Sequence, residues 1–157
     1  MKRIVSVLLI AVLAIALFAG CGGASDSGKS VDLPAVMDKI NSEYNLSLKA
    51  LDGADKLTRY YSIDEKDVKQ FAAELDSNND APVEIVLVEA VDADAAGRVE
   101  AALNTRYNSI LRQYSSYTSE KVDMVNACKV TKDGNFVSMI VADNADGMLK
   151  IYQDSIQ

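Results

Sequence analysis

Residues 83–91, Val-Glu-Ile-Val-Leu-Val-Glu-Ala-Val, are the most strand-like stretch of the chain. β-Branched side chains dominate this stretch, and Pro82 directly before it stops any preceding helix. An almost continuous apolar run of this length is typical of a strand that is buried on both faces of a sheet. We therefore predict a central strand here, with the other elements packed around it.

Helical periodicity follows this strand directly. A long helix is predicted over residues 93–114, because apolar positions recur there in alternating steps of three and four. The stripe consists of Val99, Leu103, Arg106 or Tyr107, Ile110 and Tyr114. After a turn at residues 116–118, a shorter helix is predicted over residues 119–125.

The C-terminal part of the chain predicts a β-hairpin and a closing helix. Two short strands, residues 129–131 and 136–142, flank Asp133-Gly134, which is a strong signal for a tight hairpin turn. Residues 143–147 form another turn. The helical spacing of the apolar side chains after that turn predicts a final helix around residues 148–152.

Two helices are predicted before the central strand. The first covers residues 33–45, with Asp32 as its N-cap and Pro34 in its first turn. The second begins at Asp64, and its apolar face consists of Val68, Phe71, Ala72 and Leu75. Residues 46–62 between them are ambiguous, since alternation could add an edge strand at Leu46, Leu48 and Ala50.

The expected order is helix, an optional strand, helix, strand, two helices, two strands and a helix. We expect an α+β (mixed α/β) fold with one small mixed sheet of about three to four strands, including the C-terminal hairpin, and helices packed on it. The chain has 157 residues, which suits one modest domain, and we place that domain at residues 32–157.

Composition excludes several classes of function. The chain has 16 basic and 23 acidic side chains and a net charge of −7, whereas nucleic-acid binding requires a basic surface. It contains no histidine, which removes histidine-dependent nucleophiles and imidazole metal ligands. No glycine-rich phosphate loop, nucleophile elbow or metal-ligand spacing is present. We therefore expect no enzyme, metal or cofactor, and a hydrolase without histidine is the weakest alternative.

The first twenty residues are predicted to be an export signal. Lys2 and Arg3 precede an apolar run over residues 4–19, the order that export machinery recognises. This run is shorter than the roughly twenty residues that cross a bilayer as a helix. The residues that end it, Leu17-Phe18-Ala19-Gly20-Cys21, resemble the lipobox of bacterial lipoproteins.

The lipobox resemblance implies that Cys21 is diacylglyceryl-modified and that the chain is cut before it. Phe18 departs from the pattern, which prefers Leu, Val or Ile at that position. Two acyl chains anchor a protein stably, so the membrane is an expected partner through the diacylglycerol on Cys21. We therefore predict a signal peptide at residues 1–20, a lipidated cysteine and flexible tether at residues 21–31, and an extracytoplasmic domain on the outer face of the cell membrane.

Arg106 is the most informative polar residue of the domain, because it lies on the apolar stripe of the long helix. A buried guanidinium is costly unless a carboxylate pairs with it. Glu84, at the start of the central strand, is one candidate partner, and Asp123 is another. We interpret Arg106 as a structural residue, either in a buried ion pair or with its guanidinium extended to the rim of the core, and an anion-binding arginine in a cleft is the alternative.

Several tyrosines could form a stacking surface for a glycan or a peptide, with Tyr114 and Tyr117 as the main candidates. The full set is Tyr60, Tyr61, Tyr107, Tyr114 and Tyr117. Tyrosines near helix ends more often pack their rings on the core and expose the hydroxyl group. Core packing is therefore the simpler interpretation of this set.

Two further features have structural interpretations. Residues 76–80, Asp-Ser-Asn-Asn-Asp, begin like a calcium loop, but Ala81 and Leu87 stand where such a loop needs a glycine and a glutamate. We interpret this segment as a helix end followed by a turn. Cys128 is the only thiol left after lipidation, and we expect it to be a small buried side chain.

The second half of the chain resembles a known family. The resemblance rests on the order and spacing of Glu84-Ile85-Val86-Leu87, Leu103 with Arg106, Tyr114 with Tyr117, Val125-Asn126-Ala127 and Gly134-Asn135-Phe136-Val137. Over about residues 60–155 the chain is similar to an uncharacterised family of short Gram-positive bacterial lipoproteins with a C-terminal domain of unknown function. The resemblance implies the same fold and membrane address, and it assigns no reaction, ligand or catalytic residue.

The expected function is binding. We expect a membrane-anchored accessory module whose partner is an envelope protein. The alternative is a receptor for a small ligand or a cell-wall glycan, which would use Arg106 and the tyrosines. A deep pocket with Arg106 at its floor would favour the receptor, and an exposed apolar patch would favour the protein-binding module.

Overall fold

The computed structural model describes residues 31–77, 81–116 and 119–157, with the side chain of residue 119 left out. The predicted signal peptide, Cys21 and most of the predicted tether lie outside the described residues, as does Tyr117. The expectations for these segments therefore stay predictions.

Within these ranges the chain forms five α-helices, five β-strands and one short 3₁₀ helix. The helices are α1 (Leu33–Tyr44), α2 (Ala54–Tyr61), α3 (Ala93–Tyr114), α4 (Ser119–Ala127) and α5 (Ala145–Ile156). The strands are β1 (Lys49–Ala50), β2 (Val68–Leu75), β3 (Glu84–Ala90), β4 (Lys129–Asp133) and β5 (Phe136–Val141). The 3₁₀ helix, Glu65–Asp67, directly precedes β2.

The strands form one sheet in the order β1-β2-β3-β5-β4, and every neighbouring pair is antiparallel. β3 lies in the middle, and all seven of its residues are buried. The predicted α+β class, the central strand and the C-terminal hairpin are therefore confirmed. The sheet differs from the expectation in having five strands and in being antiparallel throughout rather than mixed.

Helices cover both faces of the sheet, which explains why five of the seven residues of β3 are apolar. Val86 and Val88 belong to the core under α2, α3 and α4, together with Leu103 of α3. Ile85 and Leu87 belong to the core under α1 and α5. Because successive side chains of a strand point to opposite faces, a strand with a core on each side loses its polar alternation.

The predicted helix from Asp64 is wrong, because residues 68–75 form β2. Phe71 and Leu75 contact the core under α3, whereas Ala72 lies in the core under α1. Their spacing of three and four residues imitates one helical face, although the side chains lie on both faces of the sheet. Pairing with β3 along the whole strand supplies the backbone hydrogen bonds that a helix would otherwise provide.

Residues 46–62 supply both an edge strand and a helix. Lys49 and Ala50 pair with the end of β2, and the Leu51 N–H donates to the Ala73 carbonyl at 2.8 Å. Gly53 then has a φ of +100°, a conformation that glycine adopts without strain, and α2 begins at the next residue. The chain therefore leaves the sheet edge after only one short strand.

The other predicted elements form close to their expected positions. α1 begins after Asp32, whose side chain accepts a hydrogen bond from the Ala35 N–H at 3.3 Å. α3 has the predicted bounds, residues 93–114. β4 and β5 meet at Asp133 and Phe136, with the two-residue turn between them starting at Gly134, where φ is +54°. Local sequence signals are therefore sufficient for these elements.

Candidate functional site

Arg106 and Glu84 form a two-point ion pair between α3 and β3. The Arg106 Nε donates to Glu84 Oε2 at 3.0 Å, and a terminal guanidinium nitrogen donates to Oε1. The Glu84 side chain is buried, and that of Arg106 is 32% exposed. Of the two predicted partners, the structure therefore places Glu84, and not Asp123, against the guanidinium.

The Tyr61 ring of α2 is buried beside this pair. Its hydroxyl group lies near the Glu84 carboxylate without a hydrogen bond of normal geometry. Burial, followed by the negative charge of Glu84, holds the pKa of Tyr61 well above its usual range. The hydrogen bonds to Glu84 raise the pKa of Arg106. Tyr61 is therefore a neutral phenol and Arg106 a fixed cation.

A small pocket opens next to the ion pair, with a volume of about 110 Å³. Its lining includes Tyr60, Asp76, Glu84, Arg106 and Tyr114. Sites for small molecules usually measure about 300–1,000 Å³, so this pocket suits a few water molecules or a small ion. The charge of Arg106 is already matched by Glu84, which weakens any attraction for an anionic ligand.

The four candidate tyrosines that the structure describes do not form an exposed aromatic surface. Tyr114 is buried, because it lies on the apolar stripe of α3, which agrees with the core-packing interpretation and not with the alternative of a stacking surface. The Tyr107 hydroxyl donates to the Val125 carbonyl at 2.8 Å and so ties α3 to α4. Tyr60 alone of the four described candidates has a largely exposed side chain, at 48%.

Sequence reasoning also missed two ion pairs whose carboxylates, Asp67 and Glu89, are buried. Arg98 of α3 donates through Nε and a terminal nitrogen to both oxygens of Asp67, at 2.8 and 2.7 Å. These hydrogen bonds lower the pKa of Asp67 and raise that of Arg98. Glu89 accepts from Lys69 Nζ and Gln70 Nε2, each at 2.5 Å. The wrong helix prediction for residues 64–75 concealed both partnerships.

Cys128 and Asp76 have structural partners. The Cys128 thiol is buried and donates to the Met124 carbonyl at 3.0 Å, and burial raises its pKa. Asp76 follows the strand β2 and not the predicted helix, and its carboxylate accepts from the Ala81 N–H at 3.1 Å; residues 78–80 of the calcium-loop-like segment lie outside the described residues. Among the residues that the structure describes, no group of three or more acidic or cysteine side chains could hold a metal ion.

An open, largely apolar groove lies at the outer edge of β2 and is here called the β2 edge groove. Its floor is Phe71–Glu74, one wall is the start of α1, and the other wall is the segment Ala50–Gly53. The α1 wall consists of Pro34, Met37 and Asp38. The volume is about 440 Å³, four times that of the pocket beside Arg106 and within the range of small-molecule sites. No single motif signals this groove, because it depends on where β1 leaves the sheet.

Carboxylates surround the β2 edge groove. Asp38 and Asp52 are exposed on its two walls, and Glu74 lies at the floor. The side-chain amide of Asn41 donates to Glu74 Oε2 at 2.9 Å and so fixes this carboxylate on the α1 side. Among the residues that line the groove, none is basic. The groove therefore combines an apolar floor with an acidic rim.

Helices on both faces of an antiparallel five-stranded sheet define a small α+β domain, and a family can be assigned to it. A family model described as "Domain of unknown function (DUF4358)" matches residues 40–142, which is more than half of the chain. The chain therefore belongs to the DUF4358 family. This confirms the expectation of an uncharacterised domain family. The matched range starts and ends earlier than residues 60–155, the range expected from the sequence.

No function is assigned by similarity to curated proteins or solved structures. No curated protein and no solved structure matches the chain. None of the helices in the described ranges is both long and apolar enough to cross a membrane.

Proposed function

We propose that this protein is a membrane-anchored extracytoplasmic lipoprotein of the Gram-positive type, whose folded domain binds another protein at the cell envelope. The domain does so as an accessory module and performs no catalysis of its own. Two separate arguments support this proposal, one for the anchor and one for the binding role.

The order of residues at the N-terminus supports the anchor. Lys2 and Arg3, the apolar run over residues 4–19, and small residues before Cys21 follow each other as in lipoprotein signals. Diacylglycerol on Cys21, together with an N-terminal acyl chain, would hold the mature protein stably on the membrane. The polar, glycine-rich residues 22–30 would let the domain reorient near the bilayer.

The single observation that carries the binding role is the β2 edge groove. This largely apolar groove has a volume of about 440 Å³ and lies beside a strand edge. The pocket beside Arg106 measures about 110 Å³, and its cation is already paired with Glu84. Exposed apolar grooves and open strand edges are surfaces that other chains cover. The open strand edge, with which the backbone of another chain can pair, thus favours a protein partner over a small ligand.

Crosslinking in intact cells tests this function. The lipidated protein is expressed with an affinity tag, crosslinked, purified and analysed by mass spectrometry, next to a tagged lipoprotein of similar charge as the control. We expect one envelope protein to be enriched reproducibly over the control. Enrichment of nothing would contradict the binding role, and thermal-shift screening of glycans and anions would then test the receptor alternative at Arg106.

A further inference from the structure

We propose that the β2 edge groove takes up an extended, basic segment of the partner protein, which adds to the sheet as an extra strand beside β2. This inference rests on the proposed binding function and specifies how the partner is recognised. It follows from the hydrogen-bonding groups of β2, the shape of the groove and the charge around it.

The outer edge of β2 is only partly occupied. β1 pairs with Leu75 and Glu74, and its last contact is the bond from the Leu51 N–H to the Ala73 carbonyl. In the described parts of the chain no strand pairs with residues 68–72 on that side. Backbone groups of alternate residues face the same edge, so the N–H and C=O of Phe71 point the same way as the carbonyl of Ala73.

Gly53 creates the room that an added strand needs. Continued pairing would place residues 52 and 53 opposite residues 72 and 71, but the chain turns away at Gly53, where φ is +100°. The incoming segment would therefore continue the line of β1 along β2. Its backbone would bond to β2, and its alternate side chains would contact the α1 wall and the Ala50–Gly53 wall, as in other cases of strand addition.

Charge determines which segment fits. The groove has Asp38 and Asp52 at its rim, Glu74 at its floor and no basic lining residue, so lysine or arginine side chains on the added strand would be attracted. A second copy of this chain, at a net charge of −7, would bring further carboxylates to the same rim. The chain's own residues 22–30 are mostly glycine, serine and alanine, which rarely form strands. A basic partner segment is therefore the occupant that we infer.

Two model peptides test the recognition directly. One is a nine-residue peptide of threonine, valine and lysine in which valines alternate with the other residues; in the other, glutamate replaces lysine. Both are labelled with fluorescein and titrated with the mature lipidated protein in detergent micelles, and binding is followed by fluorescence anisotropy. We expect the lysine peptide to bind about tenfold more tightly than the glutamate peptide.

Charge-reversal variants locate the binding. Asp38→Lys/Asp52→Lys changes two exposed groove residues, and we expect it to weaken binding of the lysine peptide at least fivefold. Asp123→Lys/Asp143→Lys is the matched control, because it makes the same charge change at exposed positions outside the groove. Circular dichroism verifies that both variants are folded. Equal weakening in the two variants would contradict the proposal, since it would mean attraction to the overall charge.

Hydrogen–deuterium exchange tests strand addition itself. We expect the lysine peptide to slow exchange of the β2 amides that face the open edge, above all that of Phe71, in the wild-type protein, whereas the amides of Gln70 and Ala72 face β3. Binding without this protection would overturn the strand-addition model, as would a lack of binding by either peptide. Protection of the same amides in the protein alone at high concentration would instead identify a second copy as the occupant.

Crosslinking in cells distinguishes a failure of the binding role from a failure of the β2 edge groove as its site. If crosslinking in cells recovers the same envelope protein with wild type and with Asp38→Lys/Asp52→Lys, the binding role stands and the β2 edge groove is not its site. If the protein is lost from the Asp38→Lys/Asp52→Lys variant but still recovered with Asp123→Lys/Asp143→Lys, both the binding role and the β2 edge groove as its site are supported.

Discussion

At the residue scale, Glu84 and Arg106 each depend on the charge of the other. Glu84 is buried at the start of the central strand, and Arg106 reaches it from the apolar stripe of α3 with two hydrogen bonds. A carboxylate at this depth has a large desolvation cost when its cation is removed. The pair therefore stabilises the contact between α3 and β3.

Replacing Arg106 with an uncharged side chain tests this interpretation. We expect Arg106→Met to lower the free energy of unfolding by about 2 kcal/mol, less than for a fully buried pair because the guanidinium is partly exposed. The double variant Arg106→Met/Glu84→Met should recover more than half of that loss, since no unpaired charge remains. Urea unfolding followed by circular dichroism measures both values. A double variant as unstable as Arg106→Met would contradict the ion-pair account.

The ion pair between Asp67 and Arg98 should make the stability of the fold depend on pH. Its pKa is lowered in the folded state by the hydrogen bonds from Arg98, relative to about 3.9 in an unfolded chain. The ionised carboxylate therefore stabilises the fold above about pH 4, and this contribution is lost as the pH falls towards the folded-state pKa. We expect the stability difference between wild type and Asp67→Asn to be constant above pH 5 and to shrink below pH 4.

Thermal unfolding across this pH range measures that difference. Asp123→Asn, at an exposed position of α4, is the control and should differ little from wild type at any pH. A difference for Asp67→Asn that stays the same down to pH 3 would mean that the pair with Arg98 is not responsible.

At the scale of elements, two glycines have different roles: Gly53 lies in the turn before α2, and Gly97 lies inside α3. Gly53 ends the pairing of β1 at a φ of +100°, and a Cβ there would lie 2.6 Å from Asp55 Oδ1. Gly97 lies inside α3, and a Cβ there would have no neighbour within 4 Å. Only the first glycine is required by the backbone conformation.

Alanine at each glycine separates the two roles. Gly53→Ala should destabilise the protein by about 1–2 kcal/mol, because alanine is strained at that φ. Gly97→Ala should stabilise it by about 0.5–1 kcal/mol, since alanine is the better helix former. Denaturant unfolding measures both changes. A neutral Gly53→Ala would contradict the conformation of the turn that opens the β2 edge groove.

The sequence predicts elements well where local signals agree with the tertiary environment. β3 is recognisable from its apolar run, α3 from its stripe, and the hairpin from Asp133-Gly134. β2 is not, because its apolar side chains at positions 68, 71, 72 and 75 fit a helix equally well. Its pairing with β1 and β3 decides the matter, and these contacts are distant in sequence.

The same distinction applies to the candidate sites. Arg106 on an apolar stripe signals its need for a carboxylate, and the choice of Glu84 follows from a buried acid on the neighbouring strand. The β2 edge groove has no such signal, because its walls come from α1 and from residues 50–53. It exists only because the chain leaves the sheet at Gly53.

At the scale of the whole molecule, we propose that a lipid anchor and a binding domain act together. The proposed anchor depends on one residue, Cys21, and the proposed recognition surface depends on an edge that β1 covers only in part. Anchoring would confine the domain near the membrane, so that even a weak interaction with another envelope protein would be favoured by its local concentration.

Replacing Cys21 tests the anchor. We expect Cys21→Ala to abolish incorporation of a labelled fatty acid and to leave the protein unprocessed or released from the membrane fraction. Cys128→Ala is the matched control and should keep both processing and membrane association. Fractionation, immunoblotting and fatty-acid labelling measure these outcomes. A processed, membrane-bound Cys21→Ala protein would show that the lipobox interpretation is wrong.

The binding role at the β2 edge groove is the central claim, and site-specific photo-crosslinking in intact cells tests it most directly. A photoreactive phenylalanine derivative is placed at Asp52, in the groove, or at Asp123, on α4, in the lipidated protein. We predict that the groove position captures one envelope protein and that the α4 position does not. Capture of the same protein only from Asp123, or of none from Asp52, would contradict the claim.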